Sequence, residues 1–210
     1  GHRRELRPQA NLFHRVLDLD WVYAAGETEF CGGDVLMRRS ALERVNGFSE
    51  SLIAGEEPEL CSRLRALDYS ILHIDEPMTQ HDLAISTWVQ YWRRATRAGY
   101  AYANIAWRTR GSRVQLWAAE ALANAFRAGA LATIVALPVF GGWWALVSLA
   151  VLTMLVFRTA IHARWKSNDP LTLLCYGVHS HFQQLPIFAG QLAFLWDLGR
   201  NKHRGLIEYK

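Results

Sequence analysis

The sequence has few cysteines, and their positions exclude the common uses of paired thiols. Cys31, Cys61 and Cys175 are far apart, and no two of them form a CxxC pair. This spacing predicts neither a disulfide framework nor a zinc site, and it is typical of a protein in a reducing cytosol.

The first residues of the sequence do not have the pattern of a signal peptide. The chain opens with Gly1-His2-Arg3-Arg4, which is polar and basic, whereas a signal peptide has an apolar segment. There is no initiator methionine, no internal repeat and no low-complexity tract. The missing methionine leads to the expectation that the sequence is a fragment or a processed piece of a longer protein.

Charge is missing from one long stretch. Residues 128–157 carry no charged side chain, and this exceeds the roughly 20 apolar residues that a helix needs to span a bilayer. The sequence "PVFGGWW" in its middle interrupts any continuous helix. A kinked span and a two-helix hairpin at about 115–157 are therefore both predicted, with a buried helical pair in a soluble core as the alternative.

The remaining composition also favours a membrane protein. Hydrophobic residues make up 51% of the chain, and nine residues are tryptophan, a residue enriched at membrane interfaces. Residues 1–113 are electrically neutral, so the net charge of +4 belongs to the apolar half. This distribution is typical of basic flanks of membrane segments and does not favour nucleic-acid binding. A further apolar stretch at 170–199 is amphipathic and is expected to lie in the interface.

The first part of the chain alternates strand-like and helix-like patterns. Strands are predicted at 30–37 and 69–75, and helices at 40–48, 58–68 and 85–107. The sequence therefore predicts an α/β domain over 1–110, followed by an α-helical membrane region over 111–210.

Single residues in these helices predict boundaries and buried faces. Ser40 is expected to cap the first helix and Gly47 to end it. Pro58 is expected as the first residue of the second helix, and Gly99 as a bend in the third. The predicted buried positions are Ala41, Leu42, Val45, Leu60, Leu64 and Leu67.

Three glutamates, Glu56, Glu57 and Glu59, surround Pro58. Three interpretations compete: a solvated helix start, a metal site, and a carboxylate that removes a proton. A helix N-terminus stabilises each anion by about 0.3–1 kcal/mol without any chemistry. A glycosidase pair is not favoured, because its two carboxylates stand on opposite sides of the scissile bond, roughly 5 Å or more apart.

The stretch "CGGDVLMRRSALERVNGFSESLIAGEEPELCSRLRALDYSILHID" resembles the C-terminal half of the catalytic domain of family 2 inverting glycosyltransferases, which have a GT-A fold. Further on, "QYWRR" resembles the QxxRW motif at Gln90 and Arg93 but has Arg94 in place of the tryptophan. The resemblance covers roughly residues 28–105. Its matched elements are Gly32-Gly33, Arg38-Arg39, Ala41-Leu42, Val45, Gly47-Phe48, Glu56-Glu57, Glu59-Leu60 and Arg63-Leu64.

The resemblance implies an α/β domain of partial GT-A type and assigns roles to single residues. Glu57 is implied as the general base, with Glu56 as the second choice, and His81 as a ligand of a divalent metal. The residues implied on the acceptor side are Gly32, Gly33, Asp34, Gln90, Trp92 and Arg93. Most of these also have ordinary structural interpretations: an exposed histidine, a strand-end carboxylate, the apolar side of a helix, or a solvated helix face.

The resemblance also implies partners. Such enzymes bind a nucleotide-sugar donor and Mn²⁺ or Mg²⁺ through an N-terminal half with a DxD-type motif. The "DLD" at 18–20 is interpreted as chance, because it lies in a helical context close to Gly32-Gly33. The expectation is a donor-binding half upstream, without which the chain alone is inactive.

The expected function is transfer of a sugar to a lipid or saccharide acceptor at the cytoplasmic face of the inner membrane. No nucleic acid is expected as a partner. The alternative is a noncatalytic membrane scaffold, with a degenerate transferase fold, in polysaccharide or glycolipid assembly.

Overall fold

The computed structural model describes residues 1–32, 34–50, 52 and 55–201. The first part contains β1 (His2–Glu5), α1 (Leu12–Asp18), a 3-10 helix (Leu19–Trp21), β2 (Gly26–Thr28), α2 (Arg39–Arg44), α3 (Glu56–Ala66), β3 (Ile71–His73), β4 (Pro77–His81) and α4 (Trp88–Arg108). The second part contains α5 (Ala118–Ala136), a 3-10 helix (Leu137–Phe140), α6 (Gly142–His162), α7 (Pro170–Phe182) and α8 (Gln184–Gly199).

The strands form two separate two-stranded sheets. β1 pairs with β4 in parallel, and β2 pairs with β3 in antiparallel register. β3 confirms the centre of the strand predicted at 69–75. The strand predicted at 30–37 is wrong for its described residues, because the N–H groups of Cys31 and Gly32 donate to the Glu57 side chain and not to a neighbouring strand.

Helices α2 and α3 pack together around a small apolar core. Its buried members are Ala41, Val45, Leu60 and Leu64. Gly47 ends α2 as predicted: its φ is +67° and its N–H donates to the Leu42 carbonyl at 3.1 Å.

Three details of these two helices differ from the sequence predictions. Arg38, not Ser40, is the N-cap of α2. Helix α3 begins at Glu56, so Pro58 is its third residue and not its first. Leu67 is 43% exposed, because α3 ends before it and the predicted spacing no longer applies.

Helix α4 continues through Gly99, and the bend predicted there stays a prediction. A Cβ atom at Gly99 would lie 1.9 Å from the Ile187 carbonyl oxygen on α8. On α8, a Cβ at Gly190 would lie 2.0 Å from the Thr96 carbonyl oxygen on α4. The two glycines therefore allow the backbones of α4 and α8 to touch, which ties the two parts of the chain together.

Helices α5 and α6 are separated at the "PVFGG" sequence, as predicted. α5 with its 3-10 extension and α6 are both long and apolar enough to cross a membrane. Only 11% of the most apolar window of each is buried. A helical pair in a soluble core would be mostly buried, so that alternative does not describe these two helices.

Helix α7 begins at Pro170, and Asp169 caps it by accepting from the N–H groups of Leu171 and Thr172 at 3.2 and 3.3 Å. Pro186 lies in the first turn of α8 and is fully buried. α7 packs against α6 and α1, and α8 packs against α4 and α5.

Candidate functional site

The start of α3 and the turn at Cys31 meet at the carboxylate of Glu57. The N–H groups of Cys31 and Gly32 donate to Glu57 Oε1 at 2.5 and 3.1 Å. The thiols of Cys31 and Cys61 lie 2.8 and 3.2 Å from the same oxygen. Among the described residues, all hydrogen bonds to this carboxylate reach Oε1, which leaves Oε2 to accept a proton.

The other two glutamates have different surroundings. Glu56 is exposed at the first position of α3. Glu59 forms two bonds with Arg63, at 2.9 and 2.8 Å. Arg63 also donates to the carbonyls of Val45 and Gly47. Glu59 therefore fastens α3 to the end of α2, and Glu56 is the glutamate that fits a solvated helix start.

Two cysteines that are far apart in sequence lie side by side. Cys31 Sγ and Cys61 Sγ are 3.7 Å apart, a proximity that their spacing in the sequence did not predict. The bond with Cys31, burial, and the negative charge of Glu57 all raise the pKa of the Cys61 thiol. Cys175 lies elsewhere, on α7.

Asp34 and His81 lie near a buried tryptophan. Arg3 donates to Asp34. Burial raises the pKa of Asp34, but hydrogen bonds from Arg3 and Thr79 outweigh it, so the pKa lies below its ordinary value. The Trp21 ring is 5.4 Å from the His81 ring and 5.4 Å from Arg3 Cζ. The metal role of His81 stays a prediction, as does the acceptor role of Asp34.

Asp20 is the centre of a second polar cluster. Its Oδ2 lies 3.2 Å from His179 Nε2. A carboxylate only accepts hydrogen bonds, so Nε2 is the donor, and Nδ1 faces the Tyr91 hydroxyl at 2.8 Å. The Asp20 side chain is 30% exposed. We call Asp20, His179, Tyr91, Arg94, Lys166 and Tyr176 the Asp20 cluster.

Two cations of the Asp20 cluster come from distant parts of the chain. Lys166 Nζ, just after α6, donates to the Leu19 carbonyl at 2.8 Å and lies 3.4 Å from the Tyr176 hydroxyl. Surrounding protein atoms lower the pKa of Lys166 and of Arg94, and the charge of Asp20 opposes this effect. The Arg94 side chain is nevertheless open to solvent. Burial raises the pKa of Asp20, but the bond with His179 and the nearby positive charges outweigh it, so this pKa lies below its ordinary value.

Tyr23 connects the two sites electrostatically. Burial, together with the charges of Asp20 and Glu57, raises the pKa of Tyr23 to about 12, against the opposing effect of Arg3. Both carboxylates therefore act on the pKa of one phenol.

The QxxRW-like residues are distributed around the start of α4. Gln90 completes a capping box with Thr87, so its side chain has a structural task. Trp92 is exposed and lies edge-to-face with Phe182, with the ring centroids 6.0 Å apart. Arg93 is exposed, whereas Arg94, the residue that departs from the motif, lies 6.0 Å from the Trp21 ring.

The "DLD" residues have separate partners. The helical context predicted for them is confirmed by α1 and the 3-10 helix that follows. Asp18 is buried and accepts from the Arg4 guanidinium and from the Glu5 N–H, the latter at 2.7 Å. Asp20 instead faces His179. The two carboxylates are therefore engaged separately.

Within the described part of the chain, two groups bring three metal-ligating side chains within 4.8 Å of one another: Cys31, Glu57 and Cys61, and Glu5, His14 and Asp82. In the second group Glu5 and His14 form a buried pair at 3.1 Å, and Asp82 binds Arg7 at 2.5 Å. Mg²⁺ and Mn²⁺ prefer oxygen ligands. The group of Cys31, Glu57 and Cys61 offers two sulfur atoms and one carboxylate. In the other group, Glu5 is already paired with His14 and Asp82 with Arg7.

The structure brings Gly32 together with Glu57, and Asp34 with Arg3; Gly33 lies outside the described residues. Sequence reasoning missed Asp20, Lys166 and His179, because their contacts span up to 159 positions. The one available signal was Lys166, a basic residue beside an apolar run. No family model, curated protein or solved structure matches this chain, so its function is argued from its own residues.

Proposed function

We propose that this chain is the acceptor-side part of a membrane-bound inverting glycosyltransferase. It would transfer a sugar from a nucleotide-sugar to a lipid or saccharide acceptor. The observation that carries the proposal is the carboxylate of Glu57, whose Oε1 is held by the turn at Cys31 and Gly32. A carboxylate fixed through one oxygen presents the other in a defined direction.

The chemistry assigned to Glu57 is general base catalysis. The acceptor hydroxyl oxygen attacks the anomeric carbon while the bond to the leaving phosphate breaks on the opposite face. Glu57 Oε2 takes the hydroxyl proton during this step, so the acceptor leaves as the glycoside. Positioned proton transfer of this kind contributes about 10²–10⁴-fold to a rate. Glu56 is solvent-exposed, which favours Glu57 between the two.

The Asp20 cluster supports a phosphate-bearing substrate. Arg94 is open to solvent and beside an aromatic ring, and Arg3 and Lys166 border the same region. Guanidinium groups bind phosphate oxygens in bidentate fashion. The exposed rings and the unburied helices α5 and α6 support the proposal that this region lies beside a surface that would meet lipid. We propose that the site faces the cytoplasm at the inner membrane.

Among the described residues, the divalent metal implied by the resemblance has one ligand group with two carboxylates, Glu5, His14 and Asp82, but Glu5 is paired with His14 and Asp82 with Arg7. Asp18 and Asp20 are committed to Arg4 and His179, and His81 belongs to neither ligand group. These residues therefore do not fit a Mn²⁺ or Mg²⁺ donor site. We assign that site to a donor-binding half outside this sequence, and no step here depends on it.

The test is Glu57→Gln in the protein with its natural flanking sequence. Glutamine keeps the shape and still accepts from Cys31 and Gly32, but it cannot take the proton. Turnover should fall by about 10²–10⁴-fold, roughly 3–5 kcal/mol of barrier, while donor affinity stays unchanged. Glu56→Gln is the matched control, one residue away and exposed, and it should remain active.

Three results would change or contradict the proposal. Equal, small effects of both substitutions would make the acidic cluster a solvated helix start. Loss of activity in Glu56→Gln alone would keep the mechanism but move the base by one residue. A protein with no transferase activity that still supports polysaccharide or glycolipid assembly would favour the noncatalytic scaffold.

A further inference from the structure

Cys31, Glu57 and Cys61 present three ligand atoms at the corners of a small triangle. The two sulfur atoms are 3.7 Å apart, and Glu57 Oε1 is 2.8 Å from Cys31 Sγ and 3.2 Å from Cys61 Sγ. Glu57 and Cys61 are separated by one turn of α3, so a single rigid helix sets two of the three corners. The third comes from the turn at Cys31.

This triangle has nearly the edge lengths of a tetrahedral zinc site. Zinc bonds of about 2.3 Å to sulfur and about 2.0–2.2 Å to oxygen, at tetrahedral angles, separate two sulfur ligands by about 3.8 Å and a sulfur from an oxygen by about 3.5 Å. The sulfur–sulfur edge already matches. The two sulfur–oxygen edges are shorter than this, by about 0.7 Å at Cys31 and about 0.3 Å at Cys61, and rotation of the Glu57 carboxylate lengthens them.

Without a metal, too many hydrogen-bond donors surround Glu57 Oε1, and a bound ion would reduce their number. Glu57 Oε1 takes two backbone N–H donors and two thiols, which is more than the two lone pairs of one oxygen accept well. Loss of the two thiol protons to solvent replaces two weak S–H donors with one cation bound to both sulfurs and to the carboxylate.

We propose that Cys31, Glu57 and Cys61 bind a thiophilic divalent cation, zinc, through two thiolates and one carboxylate oxygen. A fourth position stays open to water or to a substrate oxygen. The ion enters from the side of Cys31, which is half-buried, because Cys61 is fully buried behind it. Thiolate ligands select zinc over Mg²⁺ and Mn²⁺.

The ion has a consequence that rests on the proposed function. Zinc bound to Oε1 would draw electron density from the carboxylate and make Glu57 Oε2 a much weaker base for the acceptor proton. Zinc would therefore inhibit transfer while the hard donor-site metal supports it. Zinc binding itself does not depend on this consequence, so the two ideas fail separately.

The binding test uses the 1–210 chain in detergent, stripped of metal and kept reduced with a non-thiol reductant. Titration with Co²⁺, a spectroscopic substitute for zinc, should give a sulfur-to-cobalt charge-transfer band that saturates at one ion per chain. Excess zinc should abolish it. The group of Glu5, His14 and Asp82 contains no sulfur and cannot produce this band.

Variants identify the ligands. Cys31→Ser and Cys61→Ser should each lose half of the band and weaken binding by more than the about 10–100-fold typical of changes next to a metal site. Cys175→Ser is the matched control, a cysteine outside the triangle, and should leave the band and the stoichiometry unchanged. Should Cys61→Ser fail to fold, Cys31→Ser and protection of Cys31 from alkylation by zinc in the unaltered chain decide the question.

Three outcomes would overturn the proposal: no sulfur-to-cobalt band, a band that survives in Cys31→Ser, or alkylation of Cys31 at the same rate with and without zinc. Conversion of both thiols to a disulfide by hydrogen peroxide, in a chain that binds no cobalt, would also overturn it. If zinc binds but leaves transfer unaffected, the metal site stands and Glu57 loses its role as the base.

Discussion

Gly55 precedes α3 in a left-handed conformation, with φ of +79°. A Cβ atom there would also lie 2.2 Å from Ile105 Cδ1, and Ile105 is completely buried on α4. Position 55, directly before α3, therefore requires glycine for two reasons: the backbone conformation and the lack of space for a Cβ atom.

We expect Gly55→Ala to be strongly destabilising. The left-handed conformation alone costs a residue with a Cβ about 1–2 kcal/mol, and the contact with Ile105 adds to it. Gly111→Ala is the matched control, because Gly111 has the same φ of +79° and open space around it. Chemical denaturation in detergent measures both. Equal losses of stability in the two variants would show that the Ile105 side chain moves away without a cost in free energy.

The Asp20 pKa predicts a dependence of stability on pH. Its pKa is lowered from an ordinary value of 3.8, so the unfolded state binds the proton more tightly than the folded state. The stabilisation is complete above that ordinary value and is lost as the pH falls through the lower folded pKa. Asp20→Asn should therefore have a flatter stability curve at acidic pH than the unaltered chain. Parallel curves for the two, measured by thermal unfolding, would mean that Asp20 contributes nothing to this dependence.

At the residue scale, the sequence indicated which glutamate was of interest but not why. The acidic cluster at 56–59 is visible in any printed sequence. The separate tasks of Glu57 and Glu59 depend on Cys31 and Arg63, and the Cys31 contact crosses 26 positions of chain. A contact between residues so far apart leaves no pattern in the neighbouring sequence, because it forms only when the chain folds.

At the scale of elements, Gly99 on α4 and Gly190 on α8 test whether the two helices are in contact as described. Alanine favours a helix over glycine by about 0.8–1.0 kcal/mol in an open position. At Gly99 and Gly190 the added methyl group would instead meet a carbonyl of the other helix at 1.9 or 2.0 Å. Gly99→Ala and Gly190→Ala should therefore destabilise the protein.

Gly129→Ala on α5 is the control for both glycines. Nothing lies within 4 Å of a Cβ there, so this substitution should be neutral or stabilising by up to about 1 kcal/mol. Thermal unfolding of the three variants in one detergent separates helix propensity from helix contact. A stabilised Gly99→Ala variant would mean that α8 does not pack on α4 as described.

Elements with their own local signals were predictable from the sequence. Asp169 and Pro170 mark the start of α7 because a cap and a fixed φ act within one turn. The segment 30–37 was not predictable. Its alternation is typical of a strand, but its N–H groups are used by a side chain of α3. Tertiary contact overrode the local pattern there.

For the whole molecule, the contacts of Lys166 predict the arrangement of α5 and α6 in a membrane. Lys166 follows α6 and binds the carbonyl of Leu19 in the first part, and α5 follows directly after α4. Both ends of the pair therefore lie beside the first part, which predicts a hairpin. Basic residues flank both ends: Arg108, Arg110, Arg113, Arg158, Arg164 and Lys166.

Reporter fusions at residues 112 and 167 measure this topology. Both should report the cytoplasmic side, whereas a fusion at residue 141, in the break between the helices, should report the opposite side. Signals from opposite sides at 112 and 167 would establish a single span and exclude the hairpin.

The change in charge and hydropathy near residue 110 is visible in the sequence, and the domain boundary placed there stays a prediction. The packing of α4 against α8 could not be predicted from the sequence, since Gly99 and Gly190 carry no signal of their partner.

The bond between Asp20 and His179 has a consequence for biosynthesis. The two residues are 159 positions apart, with α5 and α6 between them. During translation the carboxylate leaves the ribosome long before its imidazole partner is made. The Asp20 cluster is therefore completed only after both apolar helices have been synthesised, so a nascent chain that ends before α7 cannot carry a finished site.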